Sequence, residues 1–596
     1  MRMTFGRRAL YLMLVGCVSC MGLTACTQDD EPERSSGDGF VDDRPGDGDD
    51  DDAPQEVVSA LSPEQHLIRA SMALRGVRPS LEDMEAVRED PSVMGDLVDL
   101  YMQTEEFGEM LRDMHNEQLQ LRAFLFAFLP LGSMADVELM DFNRSVQEAP
   151  LRLIEHIIMN DRPYSEVVTA DYTVADGIVS EVWGMDYDGD GEQWVETRWP
   201  EPGRTHAGIL SDSYLFVRWY SGPLNAQRSR ANLISRSMLC FDFLERDVDV
   251  SGNIDLSDPD VVNNAVRSPE CATCHQALDP LANHFWGYEY FVLPTQMIGE
   301  YPFTTYRPDY ERDHRPIFSD RTVGYFGLPT QSLRDLGQAM SVDPRFAQCA
   351  ARRFYSHLSQ VDQKDVPMQA VMDFQKVFED SELNAKALIK AIVLSDAFKV
   401  SHASNERAAK ELVGYKKVGP RQWSRMMEDL TGFVWRADLN FPLYEGLGSS
   451  SPYGRRLDLM KDSLFGYEVL AGGTDDFVVT RSVHTINPTS RLVFEAFARE
   501  AAGFVVERDL GEGVGPLDDA LLTMVDKNTN AESDLRRQMA VLHRRFYGEF
   551  VDEDSAAVDA TYGLFKLALE HGDNDIKRAW KVTLTAMLQD NRMLFY

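Results

Sequence analysis

The sequence predicts a mainly α, multidomain protein. Its 596 residues are enough for two or three domains, each with a hydrophobic core. Apolar residues recur at helical spacing along most of the chain after residue 58, and helix-start signals such as the Pro-Ser-Leu-Glu run at 79–82 interrupt that pattern. Only short runs favour a strand, and residues 477–480 are the clearest of them.

Residues 1–25 are typical of a bacterial lipoprotein signal peptide. A basic start precedes the apolar stretch 9–25, which is shorter than the ~20 residues that a membrane span needs. The Leu-Thr-Ala sequence before Cys26 resembles a lipobox, so we expect Cys26 to be lipidated and to begin the mature chain. Cys17 offers an earlier lipobox. The expected location is the cell envelope, and the absence of Asp directly after Cys26 favours the outer membrane.

Residues 26–57 are expected to form an acidic, disordered tether. Between Asp29 and Glu56 there are thirteen acidic and two basic residues and almost no apolar ones. Such a segment cannot bury enough surface to offset its ordering entropy, and its own repulsion extends it. The whole chain has a net charge of −38, which argues against nucleic acid as a partner. The membrane would be reached through the lipid anchor.

Three regions follow the tether. The sequence predicts an N-terminal helical region over 58–225, a middle region over 226–404 and a C-terminal helical domain over 405–596. In the C-terminal domain a helix is expected to begin at Pro420, and three amphipathic helices are expected within 534–596. Earlier helices are expected at 94–107, 230–244, 333–340, 345–358, 366–378 and 384–398.

The most informative motif is Cys-Ala-Thr-Cys-His at 271–275. It fits the C-x-x-C-H attachment signature of a c-type haem, in which Cys271 and Cys274 form thioethers and His275 binds the iron. A redox or disulfide CxxC is the alternative, while a zinc site lacks a second ligand pair at suitable spacing. The sequence therefore predicts a c-type cytochrome-like haem module inserted within 226–404.

The sixth position of that haem is left open by the sequence. Met340 lies at the end of a predicted helix, at a spacing that suits a small cytochrome domain. Met297 and His284 are nearer alternatives, and an iron with no protein ligand at this position is a further one. Because the chain has 26 methionines, ordinary core packing also explains each of them.

Two cysteines remain in the mature chain once Cys26, Cys271 and Cys274 are assigned. Cys240 and Cys349 flank the haem motif, and an exported pair of this kind is expected to form a disulfide. Two buried thiols are the alternative, since sequence does not show the distance between them.

Two acidic loops have the spacing of calcium sites. The first contains Asp186, Asp188, Asp190 and Glu192 around a turn at Gly191, and Glu196 lies one residue before the expected closing acid. The second spans 247–258 and closes on Asp rather than Glu. In so acidic a chain, both loops could also be solvated surface.

The chain resembles a large family of exported, multidomain cytochrome c-like proteins of the planctomycete and myxobacterial type. The resemblance rests on the Leu-Arg-Gly-x-x-Pro-Ser segment at 74–80, the Thr-Ala-Asp-Tyr-Thr segment at 169–173 and the Asp-Pro-Leu that follows the haem motif at 279–281. It is good over most of 60–400 and looser over 420–596. Ala282 replaces a Gly, and an acidic loop replaces a Pro-rich run after Cys240. The resemblance implies an exported protein with covalent haem.

These features predict a lipid-anchored protein that transfers electrons through one haem to an unidentified redox partner protein. A haem enzyme with an open distal site is the second possibility, and a surface scaffold with a vestigial haem motif is the third. Signatures of hydrolases, phosphate-binding loops and HExxH metalloproteases are absent from the sequence.

Overall fold

The structure is a computed structural model of the chain. It describes residues 58–123, 128–222, 225–245, 269–290, 301–313, 322–403, 414–437, 457–511 and 520–596. The signal peptide with Cys17 and Cys26, the tether, the second acidic loop and Met297 lie outside these residues. Over the described part, 58% of the chain is helical and 5% is strand, so the mainly α class is confirmed.

The described residues form 21 α-helices and eight short strands. The helices are α1 Pro63–Arg75, α2 Leu81–Glu89, α3 Met94–Tyr101, α4 Glu105–Leu119, α5 Leu139–Met159, α6 Glu166–Thr169, α7 Gly177–Trp183, α8 Ser213–Arg218, α9 Arg228–Leu239, α10 Pro269–Ala282, α11 Pro308–Asp313, α12 Leu333–Ser341, α13 Pro344–Ser359, α14 Met368–Asp380, α15 Ala385–Val393, α16 Pro420–Thr431, α17 Pro488–Asp509, α18 Glu532–Tyr547, α19 Ala556–Glu570, α20 Ile576–Leu588 and α21 Asn591–Leu594. The strands are β1 Val58–Ala60, β2 Thr173–Ala175, β3 Val195–Thr197, β4 Gly324–Tyr325, β5 Leu328–Pro329, β6 Val400–Ala403, β7 Arg436–Ala437 and β8 Leu457–Asp458.

The strands form four antiparallel pairs, β1 with β6, β2 with β3, β4 with β5 and β7 with β8. The first pair joins the start of the N-terminal region to the end of the middle region, because Val58 pairs with Ala403. Nearby, the Arg69 side chain donates to the carbonyls of Phe398 (2.8 Å) and Val400 (2.7 Å). These contacts hold the N-terminal and middle regions together.

The C-terminal domain packs on the same body. Buried apolar side chains from Leu67 to Tyr596 belong to one continuous hydrophobic cluster. The chain end pairs with the entry to the domain, since Lys416 and Tyr596 exchange two backbone hydrogen bonds of 2.9 and 3.0 Å. The described residues of 226–404 thus share one hydrophobic core with the other regions.

Several expectations about local structure are wrong. The helices expected at 230–244 and 384–398 end earlier, at Leu239 and Val393. Residues 477–480 form no strand, because the Asp475 carboxylate accepts hydrogen bonds from the backbone N–H groups of Phe477, Val478 and Val479 and folds the chain into a turn. The helix expected at 94–107 is two helices, since the Thr104 side chain caps α4 through the N–H of Phe107. Among the described residues, no helix is both long and apolar enough to cross a membrane.

Candidate functional site

The CxxCH motif lies on the first two turns of helix α10. Cys271, Cys274 and His275 stand at positions i, i+3 and i+4, so their side chains share one face of the helix. Neither cysteine is in a disulfide, and both are partly exposed. The Cys274 sulfur lies 3.8 Å from the carbonyl oxygen of Phe243. Both thiols are accessible for covalent chemistry.

The His275 ring is oriented by a buried carboxylate one turn further along the helix. Its Nδ1 lies 3.1 Å from Oδ1 of Asp279, whose side chain is 2% exposed. Arg228, on α9, donates from Nε to Oδ1 (2.6 Å) and from Nη2 to Oδ2 (3.2 Å) of the same carboxylate. Burial alone would raise the pKa of Asp279, but the hydrogen bonds from His275 and Arg228 lower it to about 2. The carboxylate is therefore ionised and accepts the Nδ1 proton.

This arrangement leaves Nε2 of His275 without a hydrogen bond to any described residue. Iron-binding and zinc-binding histidines commonly donate their other ring N–H to a carboxylate, which fixes the tautomer and raises the basicity of the free nitrogen. The geometry of His275 matches that requirement.

Aromatic and aliphatic side chains lie beside the helix. Phe241, Phe243 and Phe326 contact one another at ring-centroid distances of 4.9 to 6.0 Å. Phe326 reaches this cluster from the two-residue turn between β4 and β5, where it adopts a φ of 44° that a bulky residue rarely takes. Leu244 is 85% exposed and Leu328 is 57% exposed. The site thus combines two thiols, an oriented imidazole and uncovered apolar surface, and these fit a covalently attached haem.

The candidates for the sixth position have different surroundings. Both ring nitrogens of His284 are engaged, Nδ1 with the Leu281 carbonyl at 3.0 Å and Nε2 with the Thr330 hydroxyl at 2.7 Å. In this arrangement both ring nitrogens of His284 have protein partners, and its role as the sixth ligand stays a prediction. Met340 is fully buried near the end of α12 and packs in the hydrophobic core, as an ordinary core methionine would. Met297 lies outside the described residues.

Cys240 and Cys349 form a disulfide, with Cα atoms 5.3 Å apart. Cys240 directly follows the last residue of α9, and Cys349 lies within α13. The pairing expected from the cysteine count is present, and it ties the helix that carries Arg228 to α13.

The first acidic loop does not gather its carboxylates. Glu196, one residue before the expected closing position, lies on β3, where it pairs with Arg162 and with His156 at 3.0 Å. Asp190 accepts hydrogen bonds from the backbone of its own turn, and Gly191 takes the positive φ of 105° expected there. The described residues contain no group of three or more His, Cys, Asp or Glu side chains that could hold a metal ion. Calcium binding by Asp186, Asp188, Asp190, Glu192 and Glu196 stays a prediction.

Sequence analysis missed the roles of Asp279 and Arg228. Asp279 follows His275 by four residues, and this i, i+4 spacing on a helix could have indicated the contact. Arg228 lies 51 residues from Asp279 and gave no comparable signal.

No protein-family profile matches the chain, and neither a curated protein nor a solved structure matches it.

Proposed function

We propose that this protein is a lipid-anchored, c-type cytochrome-like protein of the cell envelope that transfers electrons through one covalently bound haem. The observation that supports it best is the shared helix face of Cys271, Cys274 and His275, with the imidazole oriented by Asp279. The resemblance to exported cytochrome c-like proteins points the same way.

Each residue of the site has a separate task in this proposal. Cys271 and Cys274 hold the porphyrin, and Nε2 of His275 binds the iron. Asp279 keeps the Nδ1 proton in place, and Arg228 fixes the carboxylate. When bound, haem supplies a one-electron redox couple. The aromatic cluster around Phe326 restricts water on one side of the helix, which helps to set the potential of that couple.

Anchoring through Cys26 would place the protein at the outer membrane, where the acidic tether holds the body away from the surface. An unidentified redox partner protein then exchanges electrons with the haem. Labelling with a radioactive fatty acid tests the anchor, and C26S should abolish it while C17S keeps it. Labelling that is lost only in C17S would move the anchor to the earlier cysteine.

Haem staining of the denatured protein tests the attachment. Haem joined by thioethers should stay with the polypeptide on a denaturing gel, and C271A/C274A should remove it. The matched control is C240S/C349S, which also removes two cysteines but lies outside the motif and should keep the stain. Staining that persists in C271A/C274A, or wild type without stain after expression with a c-type haem maturation system, would contradict the proposal.

A haem enzyme with an open distal position is the second candidate. It is favoured by the occupied ring nitrogens of His284 and by the carboxylate on His275, which makes the imidazole a stronger electron donor. A reduced-minus-oxidised spectrum with carbon monoxide separates the two functions. A Soret shift on adding carbon monoxide indicates an open position, and an unchanged spectrum indicates electron transfer by a six-coordinate iron.

A further inference from the structure

A polar cavity of about 630 Å³ has a described lining that includes none of the residues 271–275. It is formed where helices α4, α9 and α13 end and where α16 begins, and the loop 472–484 covers another side. Its volume is in the range of small-molecule binding sites.

One wall of the cavity is neutralised by ion pairs. Asp113 accepts from Arg122 at 2.7 Å and from Arg425 at 3.0 Å. Arg421 pairs with Glu468 at 2.6 Å. These cations already have carboxylate partners, so this wall is a rigid, charge-balanced surface.

A second part of the lining, which we call the cationic wall, has no described carboxylate within ion-pair distance of its cations, which are Arg236, Arg352, Arg353 and Lys417. Asp242 and Glu245 near Arg236, and Glu117 near Arg353, also line the cavity and offset part of this positive charge. Arg353 donates to the backbone carbonyls of Arg236 (2.5 Å) and Ser237.

Lys417, which is 2% exposed, donates to the carbonyls of Ala471 (3.0 Å) and Val483 (2.8 Å). Carbonyl dipoles offset only part of a full positive charge.

Positive charges that line one cavity are costly where they are buried. Burial lowers the pKa of Lys417 to about 8, and burial together with repulsion from Arg236 lowers the pKa of Arg353 to about 10, against the opposing effect of Glu117. A bound anion within ion-pair distance of these side chains would offset the positive charge that the nearby carboxylates leave.

The other lining groups narrow the class of ligand. Gln118, Thr480 and Ser482 line the cavity with side chains that make no hydrogen bond to another described residue, which suits a ligand with several hydroxyl groups. Of the Phe, Tyr and Trp residues, only Tyr596 is among the described lining residues, so a flat nucleobase would find little stacking surface.

We propose that the cavity binds a small polyhydroxylated anion, either a sugar acid or a sugar phosphate, through the cationic wall. The carboxylate or phosphate group accepts charge-assisted hydrogen bonds from Arg236, Arg352 and Arg353. Lys417 adds a buried positive charge, and the side chains of Gln118 and Thr480 hydrogen-bond to the hydroxyl groups. The proposal is independent of haem attachment.

Titration calorimetry on the purified full-length protein tests this binding, with galacturonate and glucose 6-phosphate as probes and glucose as the neutral control at equal ionic strength. We expect saturable binding of at least one anion and none of glucose. The anion that binds more tightly identifies the charged group as carboxylate or phosphate. The absence of saturable binding by either anion, or equal binding of glucose, would overturn the proposal.

The variant R236Q/R352Q should weaken the affinity at least about tenfold, because each arginine lost removes a charge-assisted hydrogen bond. Neither guanidinium holds a described backbone carbonyl, so the fold should persist, and R352Q alone serves if the double variant does not fold. The matched control R144Q/R198Q removes two arginines that are each 61% exposed and lie outside the cavity, and it should bind like wild type. Equal loss of affinity in both double variants would mean that net charge alone governs binding.

Discussion

At the residue scale, the site depends on one buried carboxylate that serves two cations. Asp279 accepts from His275 along the same helix and from Arg228 on another helix. The stronger the carboxylate's hold on the Nδ1 proton, the more negative charge the imidazole carries. Arg228 donates to the same carboxylate, so it weakens the carboxylate's hold on the Nδ1 proton and reduces the negative charge on the imidazole. The two partners of Asp279 are expected to influence a bound haem in opposite directions.

Exchanging Asp279 or Arg228 therefore tests this competition in protein that carries haem. D279N weakens the acceptor for Nδ1 and should raise the midpoint potential by about 20–65 mV, the equivalent of a roughly 0.5–1.5 kcal/mol hydrogen bond in a one-electron couple. R228Q frees the carboxylate for His275 and should lower the potential. Redox titration followed by visible absorbance measures both. Shifts of the same sign would indicate general disturbance of the site rather than competition.

His115 provides a pH-dependent prediction far from the haem motif. The ring is buried, with Nδ1 2.7 Å from the Leu111 carbonyl and Nε2 3.0 Å from the Tyr164 hydroxyl. Burial, with repulsion from Arg353 and His357, outweighs the hydrogen bond to Leu111 and lowers its pKa to about 4.

Because the unfolded chain takes up a proton near pH 6.5 and the folded protein does so only near pH 4, the stability due to neutral His115 is complete above pH 6.5. It is lost as the pH falls towards 4, by at most ~3 kcal/mol. Chemical denaturation at several pH values should show that H115Q is less stable at pH 7.5 but loses less stability on acidification than wild type. Parallel pH profiles for the two proteins would contradict this.

At the element scale, close helix packing depends on glycine. Gly337 lies on α12, and a Cβ atom there would meet the carbonyl oxygen of Val168, at the end of α6, at 1.9 Å. That oxygen belongs to the backbone and cannot rotate away. The helices α12 and α6 can therefore approach as they do only because residue 337 has no side chain.

G337A should lower the free energy of unfolding by about 2–3 kcal/mol, since the two helices must separate. The matched control is G563A on α19, where an added Cβ meets nothing within 4 Å. Alanine there should stabilise the protein by about 0.5–1 kcal/mol through helix propensity. The midpoints of thermal unfolding measure both effects. A stable G337A protein would mean that α12 has room to shift.

At the scale of the whole molecule, buried charges connect the N-terminal region to the C-terminal domain. Asp113 on α4 is paired within its own region with Arg122, and across to α16 with Arg425, which is 6% exposed. Burial alone would raise the pKa of Asp113, but Arg122 and Arg425 bring it well below its usual range. The carboxylate stays charged and holds the two regions together.

D113N should cost about 2–3 kcal/mol of stability, because both arginines lose a carboxylate while remaining buried. The control D141N breaks an exposed pair with Arg144, whose side chains are 57% and 61% exposed, and should cost less than about 1 kcal/mol. Denaturant unfolding measures the difference. Similar small losses in both variants would mean that hydrophobic packing alone joins the regions.

Much of the helical structure followed from the sequence, because it depends on local signals. Helix α12 begins at Leu333 and α13 ends at Ser359, each within about one residue of the sequence expectation, since apolar periodicity and capping residues act over a few neighbours. The CxxCH motif is likewise local, and its three side chains share a face as soon as the segment is helical. The Asp475 turn was missed because a short apolar run favours a strand until a neighbouring carboxylate binds its backbone.

The tertiary structure decided what depends on residues far apart in the chain. It brought Arg228 to Asp279 across 51 positions, tied Val58 to Ala403 and placed the cationic wall of the cavity on several separate elements. It also packed the described parts of the N-terminal, middle and C-terminal regions, which the sequence pattern separates, around one hydrophobic core. Local pattern shows which side chains are apolar or charged, but not which distant partner each one meets. The distant partners are decided when the helices pack. Burial is favourable only where side chains fill the available space and buried charged groups have partners.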